Sequence, residues 1–212
     1  MKRIAVSQRV IVEAGRHERR DALDQRWMAL CARARLVPVL LPNAWRDAKT
    51  YCEALDVSGL LLTGGNDLAG LGSADEAPER DAAEEAALTF AIARELPVLG
   101  VCRGMQFLVR AFGGQVRRIP NHAGTTHALR RCAPNFPDVP IQVQSYHAWG
   151  CLREDLPSQL AAGAEGPDGS VEAVWHATRP VVGVMWHPER DPDDAAHGAA
   201  LLARVFGTER SP

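Results

Sequence analysis

The feature that most constrains this chain is a series of short runs that are apolar throughout, alternating with helical stretches. Residues 4–7, 37–41, 59–62 and 97–101 show almost no apolar/polar alternation. A strand of that kind is covered on both faces, as in a parallel sheet with helices on each side. Helical stretches fall between them at 20–35, 47–55, 80–95 and 103–112, the first with Leu23, Trp27, Leu30 and Cys31 on one face. Beyond about residue 115 the pattern changes. Residues 116–119, 141–144, 171–176 and 181–186 read as short strands separated by turns, and 191–206 as a closing helix. The expected architecture is α/β: a three-layer α/β/α sandwich with a mostly parallel central sheet and an added antiparallel or mixed section. Residues 1–212 are expected to form a single domain.

Composition closes off other classes. Hydrophobic residues make up 46% of the 212, charged residues 24%, and the formal net charge is −2. Such a chain buries an ordinary core without staples, and it carries no basic footprint for nucleic acid. No apolar run approaches the roughly 18 residues of a membrane span. The first residues read as a strand rather than a leader, so the cytoplasm is the expected location. Five cysteines at 31, 52, 102, 132 and 151 are odd in number and widely spaced, with no C-x-x-C. A disulfide framework is not expected, and most of them read as small core hydrophobes. His122, His127 and Cys132 invite a metal reading, but their spacing fits no standard site and no metal or other cofactor is expected.

One cysteine stands apart. Gly100-Val101-Cys102-Arg103-Gly104-Met105-Gln106 lies where a strand runs straight into a helix. Small residues two before and two after let strand and helix approach, and a nucleophile at such a turn is pushed above the sheet edge. The helix N-terminus then favours thiolate over thiol. The alternative is a buried cysteine beside structural glycines. A nucleophilic cysteine needs a base and a group to orient it. His187 follows the last apolar run, and Glu189 is two residues on, able to fix the imidazole tautomer. The Arg103 amide and the loop Thr63-Gly64-Gly65-Asn66 can offer N–H donors to a developing oxyanion.

The three blocks Leu62-Thr63-Gly64-Gly65, Gly100–Gln106 and Trp186-His187-Pro188-Glu189, in this order and spacing, resemble the class I glutamine amidotransferase-like superfamily. The resemblance spans about residues 4–206 and implies a flavodoxin-like fold. It implies Cys102 as nucleophile, His187 as base and acid, and Glu189 as its orienter. It further implies oxyanion donors at Gly65 and Arg103, with Gly64 and Gln106 facing the glutamyl group. Gln144-Ser145-Tyr146-His147 resembles the N-S-Y/F-H segment of the γ-glutamyl hydrolase branch, which implies Ser145, Tyr146 and His147 as substrate contacts. Here Gln144 replaces the usual Asn, and Ala148-Trp149 replaces His-Gln. Gln8-Arg9, followed by Glu18-x-Arg20 through Trp27, resembles the opening of γ-glutamyl-CDP-amidate hydrolases, enzymes of phosphoramidate surface-polysaccharide pathways. That likeness puts Arg9 near a pyrophosphate, whereas a solvated, ion-paired helix face is the plainer reading of Arg19, Arg20 and Asp21.

The expected activity is hydrolysis of a γ-glutamyl amide through a γ-glutamyl thioester, with a cytidine nucleotide phosphoramidate as the leading substrate class. A γ-glutamyl-GABA-type hydrolase is one alternative. A glutaminase subunit feeding ammonia to a separate synthase is another, and a binding relative without turnover a third. A homodimer stays open.

Overall fold

The computed structural model describes residues 1–45, 47–133, 136, 139–190 and 195–208. In chain order the strands are β1 (Lys2–Val6), β2 (Arg9–Glu13), β3 (Glu18–Ala22), β4 (Leu36–Leu40), β5 (Leu60–Leu62), β6 (Val98–Val101), β7 (Arg117–Arg118), β8 (Thr125–Ala128), β9 (Arg130–Arg131), β10 (Gln142–Ser145), β11 (Trp149–Gly150), β12 (Leu160–Glu165), β13 (Val171–His176) and β14 (Val181–Val184). The helices are α1 (Arg26–Arg33), α2 (Ala48–Ala54), α3 (Pro78–Ala93), α4 (Arg103–Ala111) and α5 (Ala195–Phe206). The main sheet runs β4-β1-β5-β6-β14-β13-β12-β9. Its first five strands are parallel, and β13, β12 and β9 add antiparallel pairs at the other end.

The unalternating strands do what their composition requires. Successive side chains on a strand point to opposite faces. Ile4, Val6, Leu61, Leu99 and Val101 pack on one side with Trp27 and Leu30 of α1 and Leu202 and Phe206 of α5. Ala5, Leu60, Leu62 and Val98 pack on the other with Cys52 of α2, Ala87 of α3 and Leu108 of α4. Two cores thus sandwich one sheet, as the sequence predicts.

Two segments differ from expectation. Residues 20–35 do not form one helix, because Glu18–Ala22 pairs antiparallel with Arg9–Glu13 as a hairpin and α1 begins only at Arg26. A distant side chain holds that hairpin: Asn66 Oδ1 accepts from the Val10 amide at 2.7 Å, and Asn66 Nδ2 donates to its carbonyl at 3.0 Å. Tertiary hydrogen bonding overrides the local helical period here. Arg19 pairs with Glu79, and Arg20 with Glu18, from a strand rather than from a helix face. Leu160–Glu165 is a strand that the sequence hides, since Leu-Ala-Ala-Gly-Ala-Glu contains no β-branched or aromatic residue. The beginning of the closing helix, expected from 191, lies outside the described residues as far as 194.

Candidate active site

Cys102 is the residue between β6 and α4, at φ 53° and ψ −108°. A non-glycine residue in that region carries about 1–3 kcal/mol of strain and persists only where its surroundings over-determine it. The surroundings are visible. The Cys102 amide donates to the Val184 carbonyl at 2.8 Å. Gly100 and Gly104 admit no side chain: a Cβ on Gly100 would lie 2.6 Å from the Gly104 carbonyl oxygen, and one on Gly104 would meet the Leu62 backbone. The α4 N-terminus therefore sits directly behind the sulfur, with the positive end of its dipole toward it.

His187 arrives from the neighbouring strand. β14 and β6 pair in parallel, with Val184 opposite Val101, so both chains leave the sheet at the same edge. His187 Nδ1 donates to Glu189 Oε1 at 2.7 Å, which leaves Nε2 available to a reacting group, and His187 lines the same cavity as Cys102. Burial alone would lower the His187 pKa, but the hydrogen bonds and charges of Cys102 and Glu189 raise it to about 9. His187 and Glu189 are both buried.

The loop after β5 is held from behind by Arg80 of α3, fully buried. Its guanidinium donates to the carbonyls of Thr63 at 2.6 Å, Gly64 at 3.1 Å and Gly65. The Gly64–Gly65 peptide is trans, so the Gly65 N–H points opposite to the tethered Gly64 carbonyl. Arg80 thereby sets the direction of the amide that the sequence singles out as an oxyanion donor. Arg80 is paired with Glu84 at 2.8 Å, and Glu84 in turn with Arg103, whose guanidinium also meets Asp81. Burial pulls the Arg80 pKa down to about 10 despite that partner.

Two cavities meet at this point. One, of about 290 Å³, is lined by Cys102, Arg103, Gln106, Tyr146, His147 and Trp149 among others. The second, of about 250 Å³, is lined by Thr63, Gly64, Leu23, Asp24, Trp27 and Glu189 among others. Arg9, Gly65, His187 and Arg190 belong to both walls. A larger cavity, about 730 Å³ between α3 and α4, is lined by residues such as Leu88, Phe107 and Arg179 and touches none of this chemistry.

The sequence candidates separate accordingly. Cys102, His187, Glu189, Gly64, Gly65, Arg103, Gln106, Arg9 and Tyr146 come together around the two cavities. Gln106 Nε2 donates to the Trp149 carbonyl at 2.8 Å, which fixes its side chain in the wall. Tyr146 meets the His187 ring edge-on at 5.8 Å, with the Arg190 guanidinium 4.9 Å above the Tyr146 ring. Ser145 departs from the expectation of a substrate contact. It is 1% exposed and its hydroxyl lies 3.4 Å from His122 Nδ1, because strand alternation sends it to the face opposite Gln144 and Tyr146. His147 lines the cavity, but its Nδ1 is engaged by the Trp149 carbonyl at 2.9 Å. Arg80 and Arg190 escape sequence reasoning. Arg190 had a signal in following Glu189 directly, whereas Arg80 reads as one charge in an acidic, Ala-rich helix.

The surroundings of the other cysteines disfavour their thiolates. Burial pushes the thiols of Cys31 and Cys52 up to about 11 and that of Cys151 to about 12, and it also raises Cys132. No helix among the described residues is long and apolar enough to cross a membrane.

The chain is similar to known proteins over most of its length. The chain is 28% identical to the γ-glutamyl-CDP-amidate hydrolase of Campylobacter jejuni over 89% of its own length and 90% of that protein. It is 32% identical to anthranilate synthase component 2 of Azospirillum brasilense over 63% of its length and 65% of that protein. The structure of a glutamine amidotransferase from Thermotoga maritima superposes with a TM-score of 0.63 at 16% identity, covering 96% of this chain and 94% of that one. The family model for class I glutamine amidotransferases matches residues 22–206, and the chain belongs to that family.

Proposed function

We propose that the protein hydrolyses a γ-glutamyl amide, with a γ-glutamyl cytidine nucleotide phosphoramidate as substrate. The observation that carries this reading is the position of His187, hydrogen-bonded to Glu189 at 2.7 Å, in the wall shared by two cavities, one of which Cys102 also lines. A base shared in that way can serve an acyl group on one side and a leaving group on the other.

The γ-glutamyl group occupies the cavity of Cys102, Gln106 and Tyr146. The Cys102 sulfur attacks the γ-carbonyl carbon, forming a C–S bond. The amides of Gly65 and Arg103 receive the negative charge that moves onto oxygen, a contribution worth about 10²–10³ in rate per donor. The imidazolium of His187 gives its Nε2 proton to the departing nitrogen, and the C–N bond breaks. Neutral His187 then takes a proton from water, whose oxygen attacks the thioester carbon. The C–S bond breaks, glutamate leaves and the sulfur returns.

The nucleotide reading draws on the second cavity. Arg9 and Arg190 flank it, and Asp24 offers an acceptor. Arginine forks match phosphate oxygens. The likeness to the C. jejuni enzyme along nearly its full length points the same way. Rates of glutamate release from glutamine, γ-glutamyl-GABA, γ-glutamyl-putrescine and γ-glutamyl-CDP-amidate provide the test. The nucleotide conjugate should be preferred, and Cys102→Ala should abolish release from all four. Arg9→Ala should raise KM for the conjugate and leave the GABA compound unchanged. Equal KM effects on both would remove Arg9 from the phosphate site. Activity on glutamine alone, rising when a synthase is added, would replace this reading by an ammonia-delivering subunit.

A further inference from the structure

Outside the two cavities, three histidines converge on one buried carboxylate. Glu172 of β13 is 1% exposed. Around it stand His122 from the loop before β8, His127 of β8, and His147 from the turn after β10. His122 Nδ1 lies 3.5 Å from Glu172 Oε1, His147 Nε2 lies 3.6 Å from the same oxygen, and His127 Nε2 lies 3.9 Å from Oε2.

The far side of each ring decides its tautomer. His147 Nδ1 donates to the Trp149 carbonyl at 2.9 Å and His127 Nδ1 to the Ala128 carbonyl at 3.2 Å. His122 Nε2 donates to Asp168 Oδ2 at 2.9 Å. Asp168 Oδ1 also accepts from the Ser170 hydroxyl at 2.7 Å. Carbonyls and carboxylates only accept, so each ring spends its proton outward and turns a lone pair inward.

The inward His122 Nδ1 has the Ser145 hydroxyl at 3.4 Å, and Glu172 Oε1 has the Ser170 hydroxyl at 3.2 Å; the remaining inward atoms are acceptors facing acceptors. The Nε2 atoms of His127 and His147 and Oε2 of Glu172 are buried without a hydrogen-bond partner. The inward separations exceed a hydrogen bond. They approach the roughly 3.3 Å edge of a tetrahedron built on metal–ligand bonds of about 2.0–2.1 Å. Outward N–H bonds to carbonyl or carboxylate are also how metal-binding histidines are usually oriented. The ligand atoms of His122, His147 and Glu172 all lie within 4.8 Å of one another, and His127 stands beside them.

The geometry points to a binding site for a divalent ion of the zinc class, held by His122, His147 and Glu172 with His127 as fourth ligand. The role is structural. The ion ties the turn that carries Tyr146 to β8 and to β13 of the main sheet. The sequence shows only His122 and His127 close together, and Cys132, their apparent companion, instead donates its thiol to the Arg130 carbonyl.

The test uses untagged, chelator-stripped protein carrying Cys102→Ser, so that the catalytic sulfur cannot hold metal. Incubated with zinc and then gel-filtered, it should retain one ion per chain and melt at a higher temperature than the stripped form. With cobalt(II) it should show the strong visible bands of a four-coordinate nitrogen/oxygen site and no sulfur charge-transfer band. Adding Glu172→Gln or His122→Ala should weaken zinc binding by more than about 100-fold. Substoichiometric retention by Cys102→Ser protein would overturn the proposal. So would a cobalt spectrum of octahedral or sulfur type, or affinity unchanged by both further substitutions. The cobalt spectrum needs neither second variant, so it decides the matter even if those variants fail to fold.

Discussion

Gly64→Ala probes the active-site geometry at one carbon atom. The Gly64 backbone is not in the left-handed region, so alanine adds no conformational strain of its own. Its Cβ would lie 2.6 Å from His187 Cε1, whereas ordinary contacts begin near 3.4 Å. The imidazole must retreat by about 0.8 Å, and displacement of a reacting group by about 1 Å costs about 100-fold in rate. That corresponds to about 2.7 kcal/mol of transition-state stabilisation. Overpacking generally costs about 1–3 kcal/mol in stability, and a ring that can swing as a unit puts this site at the lower end. The expected result is kcat for glutamate release reduced about 100-fold, KM little changed, and a folded protein by circular dichroism. Gly15→Ala is the control, because no atom lies within 4 Å of its added carbon. A Gly64→Ala enzyme within threefold of the parent kcat would refute the placement of His187 against this loop.

Arg80→Lys keeps a charge but loses the fork that grips three consecutive carbonyls; kcat should fall about 10²–10³-fold, as for loss of an oxyanion donor, while iodoacetamide still reaches Cys102. For the pH profile, a His187 pKa raised to about 9 means that the imidazolium is present below that value and is lost above it. The alkaline limb of kcat/KM should therefore lie near 9, and Glu189→Gln, by removing one of the interactions that raise the pKa, should move it to lower pH. Brief iodoacetamide treatment at pH 7, read by peptide mapping, should label Cys102 ahead of Cys31, Cys52 and Cys151, whose thiols burial keeps protonated.

The candidate triad is legible because each member sits in a short motif beside a strand end, and the apolar strands fix where those ends lie. Gly100 and Gly104 report their own reason in the structure, since both mark the close approach of strand and helix. Other features are properties of space rather than of local sequence. The β2–β3 hairpin is held by Asn66, about fifty residues away in the chain, so its period misleads. Ser145 belongs to a matching motif, but strand alternation turns it to the far face, a register that four residues cannot reveal. Arg80 reaches back from α3 to carbonyls 15 to 17 residues before it, beyond the range of any helical or strand period. The histidines around Glu172 come from three separate segments, and only two of them are near neighbours in the chain.

The parallel pairing of β6 with β14 has a consequence for how such a protein can change. Cys102 directly follows β6 and His187 comes three residues after β14, so two strands about 4.8 Å apart deliver the candidate nucleophile and base to one edge of the sheet. The sheet acts as a ruler. The hairpin and the turns that wall the cavities can be lengthened, recharged or exchanged without altering what the ruler measures. Selectivity can then drift while reactivity is inherited intact, and one backbone interval can serve many leaving groups.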